Sequence, residues 1–170
     1  MEFQSTQKLD RLGRLLGLKR VLRQGWTRHP IPPGQVESVA DHSWGVALLA
    51  WFLCPPELNR ERVMELALFH DLSEVVTGDI TPHDGVSEAE KANREERAEL
   101  ELLQGLSHGD SALELCREYR EQQTAEARWV KSMDKLEMYL QSLNYEREHP
   151  VELSEFRASA AGYLRDLAFD

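Results

Sequence analysis

Cysteine is scarce in this chain: Cys54 and Cys116 are the two thiols among 170 residues. They have no Cys-x-x-Cys spacing and fall far short of the density of a disulfide scaffold, so a reducing compartment is expected. No apolar run approaches the ~20 residues that a membrane helix needs, and no signal-like segment follows the first residues. The expectation is a cytoplasmic protein with no membrane partner. Basic charge is also in deficit, with 20 Lys and Arg against 30 Asp and Glu and a formal net charge of −10. Nucleic-acid polymers and anionic membranes both reward a basic surface, so neither is expected as the main partner. A small anionic substrate stays open, provided a few arginines and lysines line its pocket. Strand signals, internal repeats, low-complexity tracts and linkers are absent or nearly so, and 170 residues suffice for one well-buried core. An all-α chain forming a single domain over residues 1–170 is predicted.

What is present is helical periodicity. Leu9, Leu12, Leu15 and Leu16 mark a first helix. Residues 23–37, with Gly25, Pro30, Pro32, Pro33 and Gly34, read as a loop, because proline removes donors and restricts its predecessor. Ser38 with Asp41 has the spacing of a capping pair, opening a helix that Cys54-Pro55-Pro56 ends. Asn59 caps the next helix, which is expected to run through His70, Asp71 and Glu74 until Gly78 and Pro82 stop it near Thr77. Ser87 and Glu90 open a highly charged helix with an expected apolar edge of Ala92, Leu100 and Leu103. A short helix over 111–120, a long one capped by Thr124 and a terminal one over 155–168 complete the chain.

Against that pattern, four ionisable groups occupy inward positions. His42 interrupts the stripe Val39, Val46, Leu49, Leu53, and Asp134 fills the gap between Val130 and Met138. His70 and Asp71 follow the apolar run Val63, Leu66, Ala67. At 3.6 residues per turn, His70 and Glu74 share a face, and Asp71 points about a quarter turn away. Buried ionisable groups are costly unless paired or bound to a cation. Two imidazoles and two carboxylates make a mixed set suited to one divalent transition metal. Co, Mn, Zn, Fe and Ni are not distinguished by such a set, and Mg is a poorer fit. The remaining histidines, His29, His83, His108 and His149, fall in predicted loops or turns, so a second metal is not expected.

The series His42, His70-Asp71 and Asp134 resembles the metal-binding signature of HD-domain phosphohydrolases. The stretches Glu-Ser-Val-Ala-Asp-His (37–42), His-Asp-Leu-Ser-Glu-Val-Val-Thr-Gly-Asp-Ile (70–80) and Glu-Lys-Ala-Asn-Arg-Glu-Glu-Arg-Ala (90–98) are similar to their 5′-deoxynucleotidase branch, including the HD-domain-containing protein 2 group. The resemblance covers roughly residues 18–164. It implies an HD-domain bundle of about six to seven helices, a nucleotide substrate and a homodimer, for which the tryptophans and the terminal helix offer apolar surface. It further implies that Glu74 and Asp79 are both catalytic, and that Trp26 lines the sugar pocket, where crowding at the ribose 2′ position would favour deoxyribonucleotides. Part of the branch has a phosphate-binding arginine just before that tryptophan. Gly25 stands there in this chain, leaving Arg23 and Arg28 as neighbouring candidates. Thr77, Lys91 and Arg94 join Trp26 and Arg23 as substrate-binding candidates.

Phosphomonoester cleavage asks for neutralised charge, a hydroxide source near neutral pH and a proton for the departing alkoxide. A metal held by His42, His70, Asp71 and Asp134 addresses the first two, its water attacking phosphorus in line. Glu74 would orient that water or take its proton, and Asp79 would serve the leaving 5′ oxygen. Plainer readings stand beside these: a surface salt bridge for Glu74, a turn carboxylate for Asp79, core burial for Trp26 and a solvated charged face for Lys91 and Arg94. At the level of function, another metal phosphohydrolase acting on an alarmone or cyclic nucleotide, and a non-catalytic metal- or nucleotide-binding module, are the alternatives.

Overall fold

Four of the helices start where a short polar side chain captures free backbone N–H groups. In the computed structural model, which describes residues 2–165 and 167, α1 (Glu2–Leu15) leads through a 3-10 turn (Leu16–Arg20) to a short α2 (Gln24–Thr27). α3 (Val39–Leu53) opens on the full capping box expected of Ser38 and Asp41. Asn59 caps α4 (Arg60–Phe69) by accepting from Glu61 and Arg62 N–H. After α5 (Glu74–Thr77), Ser87 caps α6 (Glu88–Leu103), α7 (Gly109–Glu121) follows, and Thr124 caps the 24-residue α8 (Ala125–Glu148) before α9 (Ser154–Leu164). Among the described residues there is no named strand, only an isolated antiparallel bridge between Leu22 and Ser38. No helix among them is long and apolar enough to cross a membrane.

Packing follows the apolar stripes. Val46 and Ala50 of α3, Val63, Leu66 and Ala67 of α4, Leu115 of α7, and Ala127, Val130 and Met133 of α8 form the central core. Fully burying each Leu or Val contributes roughly 1.5–3 kcal/mol, which is what holds α3, α4 and α8 side by side. A second core gathers Trp26, Ile31, Val36, Met138, Tyr145, Leu153 and Ala160, and a third joins Leu72 to Leu102, Leu103, Ala112 and Cys116.

Three expectations are corrected here. First, the helix after Asn59 does not run through to Thr77. α4 stops at Phe69, and Leu72, Glu74 and Val75 N–H donate to carbonyls three residues back, a tighter turn that ends in α5. Second, residues 23–37 contain α2 and a 3-10 turn over Pro33–Gln35, anchored by Val39 N–H to Val21 O (2.8 Å) and Arg23 N–H to Glu37 O (3.1 Å). Third, the apolar edge of α6 is Ala98, Leu102 and Leu103, and Leu100 is exposed.

Candidate metal centre and active site

The tightened turn after α4 aims His70 and Asp71 at α3 and α8. His70 Nδ1 donates to the carbonyl of Ala67 at 2.8 Å, so the neutral ring carries its lone pair on Nε2. His42 Nδ1 lies 2.5 Å from Glu137 Oε2 and gives its proton there, again leaving Nε2 as the outward nitrogen. Both Nε2 atoms are buried without a hydrogen-bond partner. They face carboxylates: His42 Nε2 is 3.4 Å from Asp134 Oδ1 and 3.7 Å from Asp71 Oδ2, and His70 Nε2 is 3.2 Å from Asp71 Oδ2. Lone pairs converging on carboxylate oxygens repel unless a positive charge, a proton or a metal ion, stands between them. The ligand atoms of His42, His70 and Asp71 lie within 4.8 Å of one another, and Asp134 reaches the same point through His42. This donor set fits a divalent ion of the kind expected.

The cage is strongly negative, and the protonation of its members shows it. Burial and the nearby Arg23 guanidinium push the His42 imidazole down, yet Asp134 and Glu137 outweigh them and bring it up to about 9. Burial works against ionising Asp71 and Asp134, but the imidazoles hold Asp71 well below the usual carboxylate range, and Lys131, Lys135 and His42 do the same for Asp134. Lys131 Nζ donates to Asp134 Oδ2 at 2.9 Å and Tyr119 Oη donates to it at 3.1 Å.

Glu74 heads α5 beside the cage and is only 4% exposed, with Oε2 unpartnered. Burial first, then the charges of Asp71 and Asp79, hold its carboxyl well above the ordinary value. Gly78, with φ +71°, turns the chain sharply after α5 in a conformation that other residues adopt only with strain. Asp79 follows, accepting Gln24 N–H at 2.7 Å. It lines a cleft of about 630 Å³ together with Arg20, Gln24, Thr77, Ile80 and Arg94.

The substrate-binding candidates separate. Thr77 and Arg94 line the cleft, with Arg94 paired to Glu90 at 2.8 Å. Arg23 is buried against the cage, 3.9 Å from both Asp71 and Glu37, and the surrounding carboxylates keep it charged despite burial. Arg28 is instead engaged by Thr81 and Asp84. Lys91 donates to Ile80 O at 3.2 Å and approaches Glu95. Trp26 does not line the cleft. It is 1% exposed, its ring centroid 4.1 Å from that of Phe156 and 5.4 Å, edge-on, from that of Tyr145, and its Nε1 donates to Glu37 at 2.7 Å. The indole thus backs the segment whose Gln24 N–H holds Asp79. Trp26→Ala is expected to cost about 3–5 kcal/mol, as for other buried aromatics, measured as a lowered denaturation midpoint.

Sequence reasoning did not single out Glu137, Glu37, Tyr119, Lys131 or Lys135. Glu137 and Asp134 share the buried face of α8 with Val130 and Met133, so the helical period carried a signal for Glu137. Lys131 and Lys135 flank Asp134 on the same helix, whereas Glu37 and Tyr119 arrive from other segments.

A profile for the HD domain matches residues 16–166. The chain belongs to the HD domain family. A human relative, 5′-deoxynucleotidase HDDC2, is 42% identical over 154 residues, which span 88% of this chain and 74% of that protein. The Schizosaccharomyces pombe 5′-deoxynucleotidase hdd1 is 38% identical over 156 residues, covering 87% and 76%. Among solved structures, a conserved hypothetical protein of Pyrococcus furiosus superposes with a TM-score of 0.78 at 32% identity, covering 93% of this chain and 94% of that one. The all-α bundle is therefore the HD-domain fold, with His42, His70, Asp71 and Asp134 gathered on α3, α8 and the turn between α4 and α5.

Proposed function

We propose that this HD-domain protein is a metal-dependent 5′-deoxynucleotidase, hydrolysing deoxyribonucleoside 5′-monophosphates to deoxynucleoside and phosphate. The observation that carries the reading is the pair of buried, partnerless imidazole nitrogens aimed at Asp71 and Asp134, with Glu74 buried nearby and Asp79 on the wall of an open cleft. The 42% identity to the human deoxynucleotidase supports the substrate class. His42, His70, Asp71 and Asp134 hold the ion. When bound, a divalent ion supplies Lewis acidity at the phosphate and a water that ionises near neutral pH. Glu74 orients the attacking water or accepts its proton, the latter once a bound cation offsets the charges of Asp71 and Asp79 that raise its carboxyl. Asp79, fixed by Gln24 N–H at the cleft wall, serves the departing 5′ oxygen. Arg23 offsets the negative charge that phosphate would meet, and Arg94 and Thr77 meet the nucleotide from the cleft.

Phosphate release from a panel of deoxy- and ribonucleotides, with Mn, Co, Zn, Mg or no added metal, tests this. Metal-dependent release from deoxyribonucleoside monophosphates is expected. Release only from an alarmone or cyclic nucleotide, or from nothing, would overturn it.

The protein is further proposed to be a homodimer. Trp44, Leu48, Trp51 and Phe52 recur at helical spacing along α3 and remain exposed, Trp44 to 68% and Phe52 to 78%. Replacing Trp44 and Phe52 together by Glu is expected to halve the mass seen by analytical ultracentrifugation and leave the helical content unchanged. A wild-type monomer would refute the proposal.

A further inference from the structure

Beyond the four ligand candidates, the shortest contact in the cage is that between His42 Nδ1 and Glu137 Oε2, at 2.5 Å. Both side chains are buried, and the contact joins α3 to α8 across the core. An imidazole nitrogen that faces a carboxylate so closely can only present its proton. The neutral ring must then carry its lone pair on Nε2, the atom that points at Asp71 and Asp134. His70 reaches the same tautomer through Ala67 O, an uncharged acceptor. The difference is that Glu137 brings a full negative charge, which makes its hydrogen bond stronger and the opposite nitrogen a better donor to a cation.

The backbone makes room for this contact. Gly45 lies three residues past His42 on α3, and a Cβ there would stand 2.9 Å from both Cγ and Oε1 of Glu137. Any other residue at position 45 would displace the carboxylate. Glu137 also lies three residues after Asp134 on α8, so one rigid helix delivers both a ligand and the group that orients the opposing ligand.

Glu37, His42 and Glu137 have atoms within 4.8 Å of one another, which raises the possibility of a second ion on the Nδ1 side. The distances argue against it. Two ligands of one ion, each ~2.0–2.2 Å from it, stand about 3 Å or more apart, whereas Nδ1 and Oε2 are at 2.5 Å, hydrogen-bond distance. Glu37 is in turn engaged by Trp26 Nε1 at 2.7 Å.

We propose that Glu137 is a positioning residue of the metal centre: through its hydrogen bond it fixes the His42 tautomer and ring orientation so that Nε2 is presented to the ion. The proposal rests on the reading of the cage as a metal site. Its test is divalent-ion affinity, measured by competition of the full chain with a chromogenic chelator for Zn²⁺ and Mn²⁺, alongside the ¹⁵N–¹H spectrum of the histidine rings in the Zn²⁺-loaded protein. Wild type is expected to show a far-downfield His42 Nδ1–H resonance. Glu137→Leu should lose that resonance and weaken both ions by about 10–100-fold, the usual effect of losing such a partner. Glu137→Gln, nearly isosteric and still able to accept the proton, should keep the resonance, shift it upfield and recover part of the affinity. Gly45→Ala, which leaves Glu137 in place chemically, should weaken binding in the same direction. If wild type binds the ions and Glu137→Gln and Gly45→Ala bind them equally well with an unaltered His42 resonance, Glu137 has no such role and the metal centre stands without it. If wild type binds neither ion, both this inference and the metal-dependent reading fail.

Discussion

Glu74→Gln is expected to lower phosphate release by about 10²–10⁴-fold, the range of a lost general acid–base, with metal content and helical signal unchanged. Glutamine fills the same space at the head of α5 but exchanges no proton. The buried position of Glu74 and its unpartnered Oε2 make the loss specific to proton transfer. The same substitution carries a second signature of opposite sign. In metal-free protein the Glu74 carboxyl is held well above its ordinary value by burial and by Asp71 and Asp79. The folded state therefore binds more protons than the unfolded one once pH exceeds the ordinary carboxyl range near ~4.3, and stability falls as pH rises from there through the folded value. Glu74→Gln removes that decline. In chelator at pH 8 the variant is expected to denature at a higher temperature than wild type, and at pH 4 the difference should close. Turnover that persists in the variant would remove Glu74 from the reaction.

Much of this site could be read before any coordinates because helical period alone says which way a side chain faces. His42 and Asp134 are buried where the stripes of α3 and α8 placed them, and the capping box at Ser38 fixed the start of α3. Other features had no local signal. The interruption of α4 at Phe69 follows no glycine or proline; the turn instead lets Leu72 pack with Leu102 and Leu103 of α6 while Asp71 swings toward His42. Trp26 reads equally as a pocket wall or a core residue until Tyr145 and Phe156, more than a hundred residues away, close around it. Arg23 looks like any loop arginine in sequence, and only the bridge of Leu22 to Ser38 carries it into the cage. The exposed tryptophans of α3 show the converse limit, since apolar character does not say whether a face meets its own core or another molecule.

Stripping the ion from wild-type protein is expected to lower its denaturation temperature, and Asp134→Ala should abolish that dependence. A ligand that binds only the folded state stabilises it by about 2.7 kcal/mol at a hundredfold excess over its dissociation constant. For a chain of this size that corresponds to roughly 5–10 °C. Asp134 is the ligand whose loss is most informative, because its carboxylate is already ionised against burial by Lys131, Lys135 and His42, so removing it takes a full negative charge out of the cage. Its alanine variant leaves Lys131 and Tyr119 without their shared acceptor, and the metal-free variant should itself melt below metal-free wild type. The pH dependence of loading has a definite sign. In metal-free protein Asp134 and Glu137 bring the His42 imidazole up to about 9, so at neutral pH an incoming ion must displace its proton. Apparent affinity should accordingly rise about tenfold per pH unit through the neutral range, for one proton displaced, and level off near the His42 value. Loading followed at fixed metal concentration from pH 6 to 9 reads this directly. An affinity independent of pH over that range would mean that no proton occupies His42 Nε2 when the ion is away.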